Sequence, residues 1–194
     1  MEKQAIKKIV VIGPESTGKS TLCKLLALHF ATEWCPEFAR EYLLANGTDY
    51  TFNALSTIAK GQIALEEKYE SIVNSQWSIG NSDNLPFTIH HSPILFLDTD
   101  MYVMKVWCEY VFGKCHQFIL DEIVQRKYDL YLLCNVDLPW IKDELREYPD
   151  EKPRQELYRI YKDILINQKT PWIEISGNYN QRLQSAIEAV NKIL

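Results

Sequence analysis

The stretch Ile6-Lys-Lys-Ile-Val-Val-Ile12-Gly13-Pro-Glu-Ser-Thr-Gly18-Lys19-Ser20 decides how this chain folds. Its first half is an apolar run of strand length, and its second half matches Gly-x-x-x-x-Gly-Lys-[Ser/Thr] at every fixed position. Leu22, Leu25, Leu26 and Phe30 then recur at helical spacing, so the motif lies between a predicted strand and a predicted helix, as its chemistry requires. The glycines let the backbone curl until successive N–H groups point inward at phosphate oxygens, and the helix beginning near Lys19 adds the positive end of its dipole. Lys19 can reach the β and γ phosphates of a nucleotide, and the Ser20 hydroxyl can ligate Mg²⁺. The expected ATP-binding set is therefore Gly13, Pro14, Glu15, Ser16, Thr17, Gly18, Lys19, Ser20 and Thr21. Such a string arises by chance in roughly one chain of this length per hundred, before its flanks are required.

Working outward, short apolar runs alternate with segments of helical period, which predicts a largely parallel sheet covered by crossover helices. The further strands are Ile94-Leu-Phe-Leu97, Leu130-Tyr-Leu-Leu-Cys134, Trp172-Ile-Glu-Ile175 and a fainter one near Glu33 to Phe38. Stripes at helical spacing run from Leu55 to Ile72, Val103 to Val111, Leu157 to Leu165 and Leu183 to Val190, and read as core-facing. By the same logic His29, on the buried side of the first stripe, reads as a core histidine. Gly80-Asn-Ser-Asp-Asn-Leu-Pro86 is dense in turn formers and reads as a surface loop. His90-His91 beside it has no third ligand at useful spacing, which argues against a metal site there.

A length of 194 residues suits one α/β domain, 1–194, built on a single core. The net charge of −5 argues against a nucleic-acid partner, because neutralising a phosphate backbone needs a basic surface. Five scattered cysteines without a Cys-x-x-Cys pair suggest reduced thiols rather than disulfides or zinc. The N-terminus lacks the features of a secretory signal, and no apolar run approaches the roughly 20 residues of a membrane span. The expectation is a cytoplasmic protein with no membrane partner.

A GTPase would offer Asn-Lys-x-Asp after a later strand, whereas the corresponding strands end in Cys134-Asn-Val-Asp137 and Ile175-Ser-Gly177, which favours ATP. Phe96-Leu-Asp98-Thr99-Asp100 puts two carboxylates at the C-terminal end of a predicted strand, where ligands gather in open α/β sheets. Asp98 is read as an Mg²⁺ ligand beside Ser20, while Thr99 or Asp100 can instead cap the next helix. Beyond the fourth strand, Arg146 and Arg154 fall in a charged segment, roughly 138–155, that suits a phosphotransferase lid. Spacing alone equally allows a solvated charged helix there.

With these pieces in order, the whole chain resembles the ribosylnicotinamide kinase domain of the bacterial bifunctional NadR proteins and their stand-alone relatives. The resemblance rests on Gly13 to Ser20, Glu37-Phe-Ala-Arg40-Glu41-Tyr42, Phe96-Leu-Asp98-Thr-Asp100, Asp137-Leu-Pro-Trp140 with Asp143 and Arg146, and Ile173-Glu-Ile175. It implies a nucleoside-kinase-like P-loop fold with strand order 2-3-1-4-5, and conversion of nicotinamide riboside and ATP to nicotinamide mononucleotide and ADP. It also implies that Glu37, Phe38, Arg40 and Glu41 face the acceptor, and that Asp98 and Asp100 serve the metal and the attacking hydroxyl. The pyridinium ring of nicotinamide riboside carries a fixed positive charge, so carboxylates and aromatic faces are suitable neighbours, with Trp34, Phe38, Tyr69 and Trp107 available. Members of that family can carry an aromatic residue where this chain has Pro36.

The combined reading is an ATP-dependent phosphotransferase of NAD salvage. Lys19 and the loop hold the phosphates, Ser20 and Asp98 hold Mg²⁺, Asp100 orients or deprotonates the acceptor hydroxyl, and Arg146 and Arg154 close over the phosphates. The alternatives are a kinase of another nucleoside or small hydroxyl compound, and a P-loop ATPase switch acting through protein contacts.

Overall fold

A computed structural model describes residues 5–80, 93–145 and 148–194. Residues 81–86 of the turn-rich stretch, His90-His91 and Arg146 lie outside the described residues, while Gly80 ends a helix.

The strands β1 (Lys7–Ile12), β2 (Glu33–Cys35), β3 (Ile94–Asp98), β4 (Leu130–Cys134) and β5 (Trp172–Ile175) form one sheet in the order 2-3-1-4-5. Every pairing is parallel, with Val11 opposite Asp98 and Leu132. The fold class and strand order are therefore those the sequence and its resemblance imply. In β3 and β4 every residue is buried, because helices cover both faces and leave no position for a polar alternation.

Side chains alternate between those faces. Ile9, Val11, Phe96 and Leu132 pack under α1 (Lys19–His29) and α7 (Tyr179–Asn191). Val10, Ile12, Leu95 and Leu133 face the opposite layer, formed by α3 (Phe52–Gly80), α4 (Met101–Phe112) and α6 (Glu151–Ile166). A satellite core joins α3 and α4 to α2 (Phe38–Asn46) and α5 (Gln117–Gln125). Gly61 of α3 belongs to that core by necessity: a Cβ there would overlap the Phe38 ring.

The N-terminal end of β1 is tied by charge. Glu66, 1% exposed, accepts from Lys8 at 3.0 Å and from Tyr128 at 3.1 Å, and pairs with Arg126 at 3.3 Å. Lys8 also reaches Glu70, and Arg126 reaches Glu67 and Glu122.

One expectation fails on this frame. His29 is exposed in the last turn of α1, with its ring edge-on to Phe30. The stripe of α1 is carried by Leu22, Cys23, Leu26 and Ala27, and position 29 falls just outside that arc. Among the described residues no helix is long and apolar enough to cross a membrane.

Candidate functional site

The loop between β1 and α1 stands at the C-terminal end of the central strand, with β3 and β4 on either side. Gly13 makes the turn possible. Its φ is +143°, and a Cβ would come within 2.7 Å of the Cys134 carbonyl, so only glycine lets β1 leave the sheet this close to β4. Inside the loop the Thr17 hydroxyl donates to the Pro14 carbonyl at 2.7 Å, and Lys19 Nζ donates to the same oxygen at 2.9 Å. Gly18 takes a left-handed conformation at the N-cap of α1 without a capping side chain, which leaves the first N–H groups of that helix open to an anion.

This loop forms one wall of a cavity of about 550 Å³, and every residue from Gly13 to Thr21 lines it. Asp98, at the end of β3, forms the floor and is 1% exposed with one carboxylate oxygen lacking a partner. Burial raises its pKa, against the opposing pull of Lys19, the Ser20 hydroxyl and Lys24. Glu37 occupies the N-cap position of α2 yet makes no capping bond, and its side chain lines the cavity instead. Burial pushes Glu37 up to about 7, and Asp98 adds to the rise while Lys19 and Arg40 oppose it.

The far wall is aromatic and apolar. Val103, Val106, Trp107 and Tyr110 of α4 line it, with Tyr161 of α6 and Tyr148 from the chain before α6. Tyr110 and Tyr148 meet edge to face at 5.7 Å, and the Trp107 indole donates to the Tyr50 hydroxyl at 2.8 Å. A polar floor that joins a phosphate-type loop to an aromatic chamber suits a ligand pair: one anionic, one a ring bearing a hydroxyl.

The chain between β4 and α6 covers this cavity and is tied to both walls. Glu15 accepts from the Tyr148 N–H at 2.6 Å and the Trp140 indole at 3.5 Å, and Ser16 accepts from the Ile141 N–H at 3.0 Å. From the other side Arg40 makes a bidentate pair with Asp143, both contacts at 3.2 Å.

The sequence expectations fare unevenly against this geometry. The nine loop residues, Asp98, Glu37 and Arg40 come together in one cavity. Phe38 and Glu41 do not line it: Phe38 packs on Gly61 in the satellite core, and Glu41 is exposed. Tyr69 packs in the core under the sheet, whereas Trp34 and Trp107 do reach the cavity.

Asp100 requires a correction. It is the N-cap of α4, accepting from the N–H groups of Tyr102 and Val103 at 3.0 and 3.2 Å and from the Tyr131 hydroxyl at 2.7 Å, and it does not line the cavity. Burial still pushes it up to about 6. Thr99 between the two aspartates has φ +119°, a conformation that costs on the order of 1–3 kcal/mol. That turn sends Asp98 and Asp100 to different tasks. Arg154 lies in the first turn of α6, 5% exposed and outside the cavity lining, with Nε and one terminal nitrogen lacking partners.

Of the aromatic and apolar wall only Trp107 was anticipated. Val103, Val106, Trp107 and Tyr110 read as a core stripe, and in sequence a stripe facing a cavity has the same period as one facing a core. Nothing in the spacing could have separated the two.

A protein-family model described as an AAA domain matches residues 8–182. Among curated proteins, the Trifunctional NAD biosynthesis/regulator protein NadR of Escherichia coli (strain K12) is 24% identical over 192 residues, and that of Salmonella typhimurium is 23% identical over 192. Each alignment takes in 97% of this chain but 43% of the relative, so the chain spans less than half the length of these proteins. A crystal structure of a NadR protein in complex with NR superposes with a TM-score of 0.75 at 24% identity, over 97% of this chain and 49% of that one. A thymidylate kinase from Ehrlichia chaffeensis superposes with a TM-score of 0.61 at 14% identity, over 96% of this chain and 99% of that one. These likenesses show a shared fold.

Proposed function

The chain belongs to the AAA-domain family whose model it matches, and from that premise we propose that it is an ATP-dependent kinase of nicotinamide riboside. The observation that carries the proposal is Glu37. A half-buried carboxylate raised to about 7 lies in the same cavity as the phosphate-type loop and an aromatic chamber. An enzyme that only hydrolysed ATP as a switch would have no use for that chamber. The relatives named for NAD biosynthesis, and the similar structure holding NR, direct the choice of acceptor.

In this reading the loop N–H groups and Lys19 hold the β and γ phosphates of ATP. The acceptor ring lies against Trp107, Tyr110 and Tyr148, and the acidic groups favour a cationic ring over a neutral one. Glu37 accepts the proton of the riboside 5′-hydroxyl as its oxygen attacks the γ phosphorus. The bond between that phosphorus and the bridging oxygen breaks, and ADP leaves. Glu37 thereby takes the role that the sequence expectation gave to Asp100.

Mg²⁺ fits the residues present: the orphaned Asp98 oxygen and the Ser20 hydroxyl are the hard donors that such a site uses. Bound with ATP, the ion would neutralise charge on the phosphates. The whole of 1–194 acts as one kinase domain, and the segment from about 138 to the start of α6 is its lid. Arg154, at the start of α6 just beyond that lid, keeps two buried guanidinium nitrogens without a hydrogen-bond partner, and an anion brought to them by closure of the lid would supply one.

The test is chromatographic. Protein with MgATP should form nicotinamide mononucleotide and should use nicotinamide riboside better than uridine or cytidine. Nicotinic acid riboside should be poorer, since its carboxylate cancels the net positive charge of the ring that an acidic cavity favours. Clear product from another nucleoside, with none from nicotinamide riboside, would retain a kinase and reject this acceptor. The shared fold with a thymidylate kinase over nearly its full length makes a nucleoside monophosphate the second acceptor class to assay.

A further inference from the structure

Arg182, on the first turn of α7, is 3% exposed, and its guanidinium joins three loops that leave the sheet side by side. Nε donates to the Gly177 carbonyl at 2.8 Å, after β5. One terminal nitrogen donates to the Asn135 carbonyl at 2.9 Å, after β4, and also pairs with Asp137. The other donates to the Thr17 carbonyl at 2.9 Å, inside the phosphate-type loop after β1. Asp137 completes the arrangement by accepting from the Gly177 N–H at 2.6 Å through its second oxygen. A planar fork with donors in fixed directions is what lets one side chain serve three segments at once, which a lysine cannot reproduce.

The bond to Thr17 has a consequence for the ligand. In a planar trans peptide the C=O and the following N–H point in opposite directions, so fixing the Thr17 carbonyl on the α7 side turns the Gly18 N–H toward the opposite, cavity side. Within the loop itself, Thr17 and Lys19 both donate to the Pro14 carbonyl. Gly18 also lies against Leu138 and Tyr179, where a Cβ would come within 3.0 and 3.5 Å, so α7 packs on this peptide as well as bonding to it.

We propose that Arg182, held by Asp137, is a positioning residue for nucleotide binding: it sets the Thr17–Gly18 peptide of the phosphate-binding loop from outside the cavity. The inference rests on reading that loop as a nucleotide site and is independent of which acceptor the protein uses.

Calorimetric titration of the full chain with MgADP, below the melting temperature of each variant, tests it. R182Q should weaken binding by about tenfold or more, the scale set by losing charged hydrogen bonds, and R182K should fall between R182Q and wild type. D137N keeps the arginine and loosens only its anchor, so it should lose several-fold, and it carries the test if R182Q does not fold. In turnover assays the same variants should raise KM for ATP and leave KM for the acceptor unchanged. A lower melting temperature with MgADP affinity within about twofold of wild type, in R182Q or in D137N, would reduce Arg182 to a structural tie and overturn the inference alone. Wild-type protein that does not bind MgADP would overturn the nucleotide reading and the inference together.

Discussion

Acids that are buried or half-buried stand at opposite ends of β1, and they are satisfied to different degrees. At the N-terminal end, Glu66 meets Lys8, Arg126 and Tyr128, and both cations hold further carboxylates. At the C-terminal end, Asp98 keeps a buried oxygen without a partner, Glu37 makes no capping bond, and Lys19 donates to a carbonyl within its own loop. Burial of charge is costly in both places, but only the first group offsets that cost within the protein. A group left open at such cost marks a place where a ligand completes the pairing, and the difference separates a structural cluster from a functional one although their residue types are alike.

The largest effect should come from the open group. Lys19→Ala should lower kcat/KM by roughly a thousandfold or more, through loss of charge on the transferring phosphate, with circular dichroism and melting temperature close to wild type. Turnover near wild type would remove the distinction between the two groups.

Next in size is Glu37→Gln, for which kcat should fall by roughly a hundredfold or more with little change in ATP affinity. The pH dependence sharpens this. A base raised to about 7 makes wild-type kcat/KM climb with pH up to that region and then level off, and the variant should lose that limb. Stability runs the other way. Glu37 binds its proton more tightly folded than at its ordinary value of 4.5, so its contribution is present below that value and is lost as pH rises toward about 7. Asp100, raised to about 6, acts in the same direction. Melting curves across this range should therefore be flatter for Glu37→Gln than for wild type.

The smallest effect on chemistry should come from the closed group. Glu66→Gln leaves Lys8 and Arg126 with their remaining carboxylates, so it should cost about 2–3 kcal/mol of stability and leave KM for ATP unchanged. A denaturation curve and an ATP titration on the same preparation decide it. A loss of activity larger than the loss of stability would show that the two ends of β1 are not separate in function.

How much of this is legible in the sequence follows from what each signal depends on. The phosphate-type loop is local, set by glycines and a lysine at fixed offsets, so all nine of its residues were readable and all line the cavity. The sheet was readable because fully buried strands leave apolar runs of strand length. Asp98 was read for the metal, but the task of Asp100 stayed open between capping α4 and serving the acceptor, since that choice turns on the Thr99 backbone and on a hydroxyl from β4. Arg182 was invisible for the same reason: its four acceptors come from three loops, and nothing around it in the chain marks it. Phe38 illustrates the reverse, a motif residue whose neighbour Glu37 lines the cavity while its own ring is claimed by Gly61 on another helix.

Following ADP formation with and without nicotinamide riboside tests whether one cavity serves both the phosphate donor and the acceptor. ADP release should depend on the riboside and match mononucleotide formation one for one, in wild type and at a reduced rate in Glu37→Gln. ADP formed at the same rate whether or not the riboside is present, with no phosphorylated riboside, would contradict it.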